Sequence, residues 1–79
     1  MGADMRELIE YVARALVDSP QDVQVREEDR RGTIHLELKV AEEDLGRVIG
    51  RGGRVANAMR ALLRVAAAQR GSRAELDIL

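Results

Sequence analysis

The apolar positions in the first part of the chain follow a helical period that ends at a proline. Apolar residues recur three or four positions apart over residues 5–17, which predicts a first helix. Asp4 and Glu7 have the spacing of a capping box at its start. Ser19-Pro20 ends the helix because proline cannot continue the hydrogen-bond ladder. The apolar positions are Met5, Leu8, Ile9, Val12 and Leu16.

The next segment alternates between apolar and polar side chains, which is the period of a half-buried strand. Val23 and Val25 predict a short strand, and the polar run at 27–32, which ends in glycine, predicts a hairpin turn. A second strand with clearer alternation follows at 33–40, so one face of the sheet is predicted to be buried and the other solvated. Its apolar face contains Ile34, Leu36, Leu38 and Val40, and its polar face contains Thr33, His35, Glu37 and Lys39.

Two helices and a strand are predicted in the remainder. Three acids at 42–44 open a short helix, at the end where the helix dipole favours them, and this helix stops at Gly50. The pattern over 54–70 predicts the longest helix, closed by Gly71, and alternation over 74–78 predicts a last strand. On the long helix one stripe contains Val55, Met59, Leu62 and Ala66, and the opposite stripe contains Asn57, Arg60 and Arg64.

The predicted order of elements is therefore α-β-β-α-α-β within a single domain, residues 1–79. A chain that is 46% hydrophobic and 34% charged is typical of a globular protein. Helices on one face of a small sheet are the natural packing for this order. We expect an α+β fold in which three helices pack on one face of a three-stranded sheet.

Charge is divided unevenly along the chain. The net charge is −1, but the first 45 residues carry six basic and twelve acidic side chains, whereas 46–79 carry seven basic and two acidic ones. All seven of these arginines lie within 46–73, which contains no acid. This asymmetry predicts one face that attracts anions. Since there is no long apolar run and no leader pattern, we expect a cytoplasmic protein without a membrane segment.

The most unusual stretch is GRVIGRGGRV at 46–55. Glycines at both ends of a four-residue turn allow close approach of a partner's backbone, and the helix that follows directs its free N–H groups towards an anion. Arginines beside the turn supply positive charge for phosphate, and apolar neighbours offer surface to bases. The glycine turn with its central arginine is Gly50, Arg51, Gly52 and Gly53; the flanking arginines are Arg47 and Arg54; the apolar neighbours are Val48, Ile49 and Val55.

Two other phosphate-binding motifs are excluded by the residues that follow the turn. A dinucleotide-binding fingerprint needs a third glycine where this chain has Val55, and a Walker A loop needs a Lys-Ser/Thr pair that is absent. The chain has no cysteine, which excludes thiolate nucleophiles and cysteine metal sites. The sequence shows no catalytic constellation, so we expect no enzyme activity, no cofactor, no metal and no small-molecule substrate.

The element order and the sequence VIGRGG at 48–53 resemble the KH domain in its prokaryotic, type II topology. The length, the Ser-Pro after the first helix and the Arg-Val-Ala after the turn resemble the small bacterial KH proteins of the KhpA (YlqC) type. The family pattern often has a large aliphatic residue where this chain has Ala56. The resemblance implies a non-catalytic single-stranded RNA-binding protein, an RNA chaperone or post-transcriptional regulator, with Gly50 and Gly53 as its fixed glycines.

Several alternatives remain open at this stage. The long helix has a wider apolar arc than one core contact needs, and a possible dimer face is formed by Ala58, Leu62 and Val65. The resemblance implies a homodimer or a heterodimer with a larger KhpB-type (Jag-like) protein, so the alternative function is an assembly subunit whose RNA contact is secondary. A third possibility is binding of single-stranded DNA. The arginines of the long helix either contact RNA or form its solvated back; they are Arg60, Arg64 and Arg70.

Overall fold

Three helices and a three-stranded sheet form two layers in a computed structural model that describes residues 4–79. The predicted order of elements is confirmed. The helices are α1 (Met5–Leu16), α2 (Leu45–Ile49) and α3 (Arg54–Gln69), and the strands are β1 (Gln24–Arg30), β2 (Thr33–Lys39) and β3 (Arg73–Ile78). Short 3-10 turns occupy Pro20–Asp22, Glu42–Asp44 and Arg51–Gly53. Within the described residues, no helix has the length and apolar character needed to cross a membrane.

The sheet has the order β1-β2-β3, with β2 in the centre. β1 pairs with β2 in antiparallel orientation, and β2 pairs with β3 in parallel orientation. Parallel neighbours need a long crossover connection, and here that connection contains α2, the glycine turn and α3. Along the chain, the glycine turn therefore lies in the connection between two strands that are neighbours in the sheet.

The predicted hairpin turn at 27–32 is wrong in its extent. β1 continues to Arg30, and the turn consists only of Arg31 and Gly32, which both have a positive φ, 56° and 87°. Two left-handed residues in succession are the geometry that matches the twist of a tight hairpin. β1 is an edge strand with mostly exposed side chains, so it needs no apolar alternation. Its polar sequence therefore resembled a loop.

The core lies between the helices and one face of the sheet. Its largest fully buried side chains include Ile9 of α1, Leu36 and Leu38 of β2, and Met59 and Leu63 of α3. The buried face of β2 is thus the one that alternation predicted.

The apolar stripe of α3 divides between the core and the surface. Met59 faces the core with Ala56, Leu63 and Ala67 as its buried companions, whereas Leu62 is 47% exposed, on the predicted dimer face. Alanines lie on both sides of the apolar arc, so hydrophobicity alone does not indicate which part of it faces the sheet.

The C-terminus of α3 has the predicted glycine termination. Gly71 has φ 69°, its N–H donates to the carbonyl of Ala68 at 3.1 Å, and the N–H of Ser72 donates to the carbonyl of Ala67 at 2.9 Å. This pair of bonds is the Schellman motif, which turns the chain sharply out of a helix. It directs the chain into β3 within three residues.

Candidate nucleic-acid interface

Gly50 ends α2 in a conformation that excludes other residues. Its φ is 76° and its ψ is 169°. A Cβ atom at this position would lie 2.5 Å from Cγ2 of Val55 and 2.9 Å from the backbone nitrogen of Val55. Since real Cβ atoms do not approach so closely, the first turn of α3 can pack here only against a glycine.

Gly52 and Gly53 complete the turn in the left-handed region. Their φ values are 64° and 79°. No atom lies within 4 Å of a Cβ placed on Gly52, and the nearest atom to one on Gly53 is Nδ2 of Asn57 at 3.8 Å. Conformation rather than space favours glycine at these two positions. We call residues 50–53 the GxxG loop.

The GxxG loop leads directly into the N-terminus of the longest helix. Gly53 is the N-cap residue of α3, which runs for 16 residues. Glycine has no side chain that could cap the helix, and the N–H of Arg54 already donates to the carbonyl of Arg51. What this end of α3 offers to an external acceptor is therefore mainly the positive end of the helix dipole. An anionic oxygen fits this position.

Arg51 and Arg54 are exposed cations at the start of α3. Among residues 4–79 neither of their guanidinium groups takes part in an ion pair. Both groups are therefore unoccupied by ion pairs within this part of the chain, and phosphate binding by them stays a prediction.

Arg47 is placed differently from Arg51 and Arg54. Its Nε donates to Oδ1 of Asp44 at 3.2 Å, and its Nη2 donates to Oδ2 of Asp18 at 2.8 Å. One guanidinium thus serves two carboxylates of the protein itself. The structure does not bring Arg47 together with Arg51 and Arg54 as a third free charge.

Asp44 is a buried acid that sequence reasoning treated only as a residue of the helix start. It is 2% exposed, and its two carboxylate oxygens accept hydrogen bonds from the backbone N–H groups of Asp18 and Ser19 at 3.1 and 3.0 Å. The N–H of Asp18, followed by that of Ser19 and by Arg47, outweighs burial and lowers the pKa of Asp44 below its usual value. Its partners are about 25 residues away in sequence, so no local pattern could have identified this role.

The apolar neighbours of the loop divide between core and surface. Val48 is completely buried, so the prediction that its side chain lines a groove for bases is wrong; it anchors α2 in the core. Ile49 is 36% exposed, and Val55 is half-buried at the edge of the core. Only these two can offer apolar surface beside the loop.

A cleft of about 440 Å³ lies between α3 and β3. Arg60, Arg64 and Arg73 line it, together with Ala67 and Leu76. Glu75 also lines the cleft, which therefore has three basic side chains against one acid and is partly apolar in its lining.

Arg60 is tied to the sheet and is not part of a solvated back of the helix. Its Nε and Nη2 both donate to the carbonyl of Leu76 at 3.2 Å, and its Nη1 donates to Oδ1 of Asn57 at 3.3 Å. The guanidinium thereby occupies a carbonyl of β3 and joins this strand to α3. Arg64 is exposed.

The predicted dimer face is open to solvent. Leu62 is 47% and Val65 60% exposed, and Ala58 is exposed as well. These side chains are available to a partner, and a dimer at this face stays a prediction. In the part of the chain that is described, no group of three or more His, Asp or Glu side chains could hold a metal ion.

Known proteins match this chain over almost its whole length. The family model described as KhpA/KhpB, KH domain, matches residues 6–78. A protein of Halalkalibacterium halodurans named RNA-binding protein KhpA is 45% identical over 75 residues, which are 95% of this chain and 99% of that protein. Proteins of the same name from Clostridium acetobutylicum, 45% identical over 75 residues (95% and 100%), and Treponema pallidum, 48% identical over 73 residues (92% and 91%), are similar.

These matches decide three of the predictions. The resemblance to small bacterial KH proteins and the KH fold are confirmed. The relatives are named as RNA-binding proteins and not as enzymes, which confirms the prediction of a non-enzymatic protein. With residues 6–78 covered by one family model and relatives of this similarity, the chain belongs to the KhpA/KhpB family of KH domains.

Proposed function

We propose that this chain is a non-catalytic protein that binds single-stranded RNA and holds its backbone with the GxxG loop. The observation that carries the proposal is the combination, at one place, of three glycines with positive φ, two arginines that form no ion pair within residues 4–79, and the N-terminus of a 16-residue helix. The names of the relatives support RNA as the anionic polymer.

The binding step is electrostatic contact at close range. A phosphate oxygen can approach the backbone of Gly52, where no side chain intervenes, while Arg51 and Arg54 supply charge-assisted hydrogen bonds. Two or three phosphate contacts predict a log–log salt slope of only about −1.4 to −2.1 for a single strand. The proposed interaction is therefore weak for one domain.

Single-stranded RNA fits the apolar surroundings better than a duplex. Ile49 and Val55 give aliphatic surface beside the loop, which can cover the faces of unstacked bases. A duplex keeps its bases stacked and inside, so such surface would have nothing to contact. The chain has one aromatic residue, so aliphatic contact takes the place of aromatic stacking.

One face of α3 connects the loop with the cleft. Gly53, Asn57, Arg60 and Arg64 are three or four residues apart and share this face. The hydrogen bond of Arg60 with Asn57 and the lining of the cleft by Arg64 make the face polar and basic along its length. A strand that leaves the loop along α3 would reach the cleft, where Arg64 and Arg73 provide further charge.

In the cell this activity corresponds to an RNA chaperone or post-transcriptional regulator in the cytoplasm. Contacts to phosphate and to faces of bases carry little sequence information. Such a protein would act on several transcripts rather than on one.

The second candidate function is that of an assembly subunit. It is favoured by the exposed aliphatic side chains of Leu62 and Val65 on α3. In this proposal the face pairs with a second copy or with a KhpB-type protein, and RNA contact is secondary. The two functions are compatible, because two weak sites in one dimer gain affinity through their linkage.

The proposed RNA site is tested by fluorescence anisotropy with a short labelled single-stranded RNA at two salt concentrations. The variant Arg51→Asp/Gly52→Asp replaces a free cation and adds an acid at a position with open space, where a left-handed aspartate is tolerated. Circular dichroism checks that it is folded. We expect the native chain to bind with a shallow salt slope and the variant to lose binding.

A matched control exists in the hairpin turn. Arg31→Asp/Gly32→Asp makes the same two substitutions at exposed left-handed positions, again with open space around the glycine. We expect this control to bind almost as the native chain does. Equal binding by the two double variants would show that the GxxG loop is only a turn. The same measurement with single-stranded DNA of equal sequence tests the remaining alternative.

A further inference from the structure

The orientation of the GxxG loop depends on α2, a helix of five residues, Leu45–Ile49. So short a helix has few internal hydrogen bonds and takes its orientation from tertiary contacts. Val48 anchors one side of it in the core. Leu45 also packs against the core, and the polar contacts at this end of α2 are made by the two charged residues Asp44 and Arg47.

The carboxylate of Asp44 binds a distant segment instead of capping its own helix. Asp44 is the N-cap residue of α2 but its side chain makes no cap hydrogen bond. It accepts the N–H groups of Asp18 and Ser19, which lie between α1 and the turn Pro20–Asp22. A carboxylate that is 2% exposed must be compensated by donors, and these donors fix its place. Asp44 therefore joins the start of α2 to the end of α1.

Arg47 adds a second connection between the same two segments. It bridges Asp44 and Asp18 through two different nitrogens, at 3.2 and 2.8 Å. The planar fork of an arginine is suited to holding two acceptors in one geometry. We call Asp18, Asp44 and Arg47 the α1–α2 ion cluster.

We propose that the α1–α2 ion cluster positions the GxxG loop, and that Arg47 acts in RNA binding through this position and not by contact with phosphate. The effect on RNA rests on the proposed function of the loop. The effect on the loop itself does not, because it concerns the free protein. Asp18 and Asp44 become positioning residues in an otherwise basic binding region.

The substitution Asp18→Asn distinguishes a positioning effect from a charge effect, because the two effects predict opposite changes in RNA affinity. Asp18 is exposed, so the variant keeps its core. If charge alone mattered, loss of an acid and release of Arg47 would strengthen RNA binding. Positioning predicts weaker binding instead, by up to about fivefold, which is the effect of one exposed ion pair.

The matched control is Asp22→Asn, which removes the same charge from another exposed aspartate. Within residues 4–79 the side chain of Asp22 takes part in no ion pair. We expect its RNA affinity to be unchanged or slightly higher. Tighter binding by Asp18→Asn than by the native chain overturns the proposal.

The salt dependence distinguishes positioning from phosphate contact at Arg47. Arg54→Gln should reduce the log–log salt slope by about 0.7, the value for one lost contact on a single strand. Arg47→Gln should lower the affinity but leave the slope unchanged. A reduction of the slope by Arg47→Gln equal to that by Arg54→Gln would mean that Arg47 touches phosphate.

Amide hydrogen exchange of the free protein completes the test. The N–H groups of Gly50 and Gly53 are bonded to the carbonyls of Gly46 and Gly50 at 2.9 and 3.1 Å, so their exchange reports the order of the loop. We expect both to exchange faster in Asp18→Asn than in Asp22→Asn and the native chain. Equal exchange rates in all three proteins overturn the positioning role, even if the native chain binds RNA. Faster exchange together with no RNA binding by the native chain would support positioning and refute the proposed function.

Discussion

Val55 in the first turn of α3 leaves no room for a Cβ atom on Gly50. The two closest approaches are 2.5 Å to Cγ2 and 2.9 Å to the backbone nitrogen of Val55. Because the second contact is with backbone, a rotation of the valine side chain cannot relieve it. The angle between the loop and α3 therefore requires a glycine at position 50.

Gly50→Ala should therefore destabilise the domain and also weaken RNA binding. We expect a loss of about 2 kcal/mol or more, from the positive φ together with the clash. The matched variant Gly52→Ala suffers only from its φ of 64°, since its surroundings are open, and should lose about 1 kcal/mol. Urea unfolding followed by circular dichroism measures both. Equal losses would show that the contact with Val55 relaxes.

The lowered pKa of Asp44 predicts a specific pH dependence of stability. The hydrogen bond from the N–H of Asp18, then that from Ser19 and the Arg47 guanidinium, hold the pKa of the folded state below the ordinary 3.8. This contribution is fully present above that value and is lost as the pH falls through the lower, folded-state pKa. The melting temperature of the native chain should exceed that of Asp44→Asn by several degrees at neutral pH, with a difference that narrows below about pH 4. A difference in melting temperature between the two proteins that stays constant down to pH 2.5 would contradict this prediction.

Arg60 should matter for stability more than its neighbour Arg64. Arg60→Met removes both hydrogen bonds from the guanidinium to the carbonyl of Leu76, which should cost about 1–2 kcal/mol for bonds from a charged donor. Arg64→Met makes the same change at an exposed position of the same helix and should stay within about 0.5 kcal/mol. Thermal unfolding of the two variants provides the comparison. Equal losses would show that the two bonds to β3 add nothing.

Leu62→Asp should abolish self-association and leave the fold intact, because Leu62 is 47% exposed. Its neighbour Leu63, which is 1% exposed, provides the contrast: Leu63→Ala should cost about 2–5 kcal/mol. Light scattering over a range of protein concentrations gives the mass of each. Retention of RNA binding by monomeric Leu62→Asp would show that the two surfaces are independent. A native chain that stays monomeric at high concentration would exclude a homodimer and leave only a foreign partner.

Local periodicity was sufficient for the order of elements and for the loop. Alternation marked β2, a helical period marked α1, and glycines at 50, 53 and 71 marked positions with a positive φ. These signals are local, and they follow from the period of each element and from steric limits on φ.

The parts that sequence reasoning missed depend on contacts between distant segments. The burial of Val48 follows from how α2 is rotated against the core, and the apolar neighbours of a motif do not reveal this. The pairing of Arg47 with Asp18 spans 29 residues. A run of arginines and acids predicts net charge correctly, but not which charges neutralise one another.

The parallel pairing of β2 with β3 has a consequence for the time course of folding. β3 can join the sheet only when the intervening chain has passed through α2, the loop and α3, so this pairing closes the longest connection in the sheet. The tight turn at Gly50 has to form within that closure. We therefore expect a replacement there to slow refolding as well as speed unfolding, so that the proposed RNA-binding loop and the rate of reaching the native state depend on the same few residues.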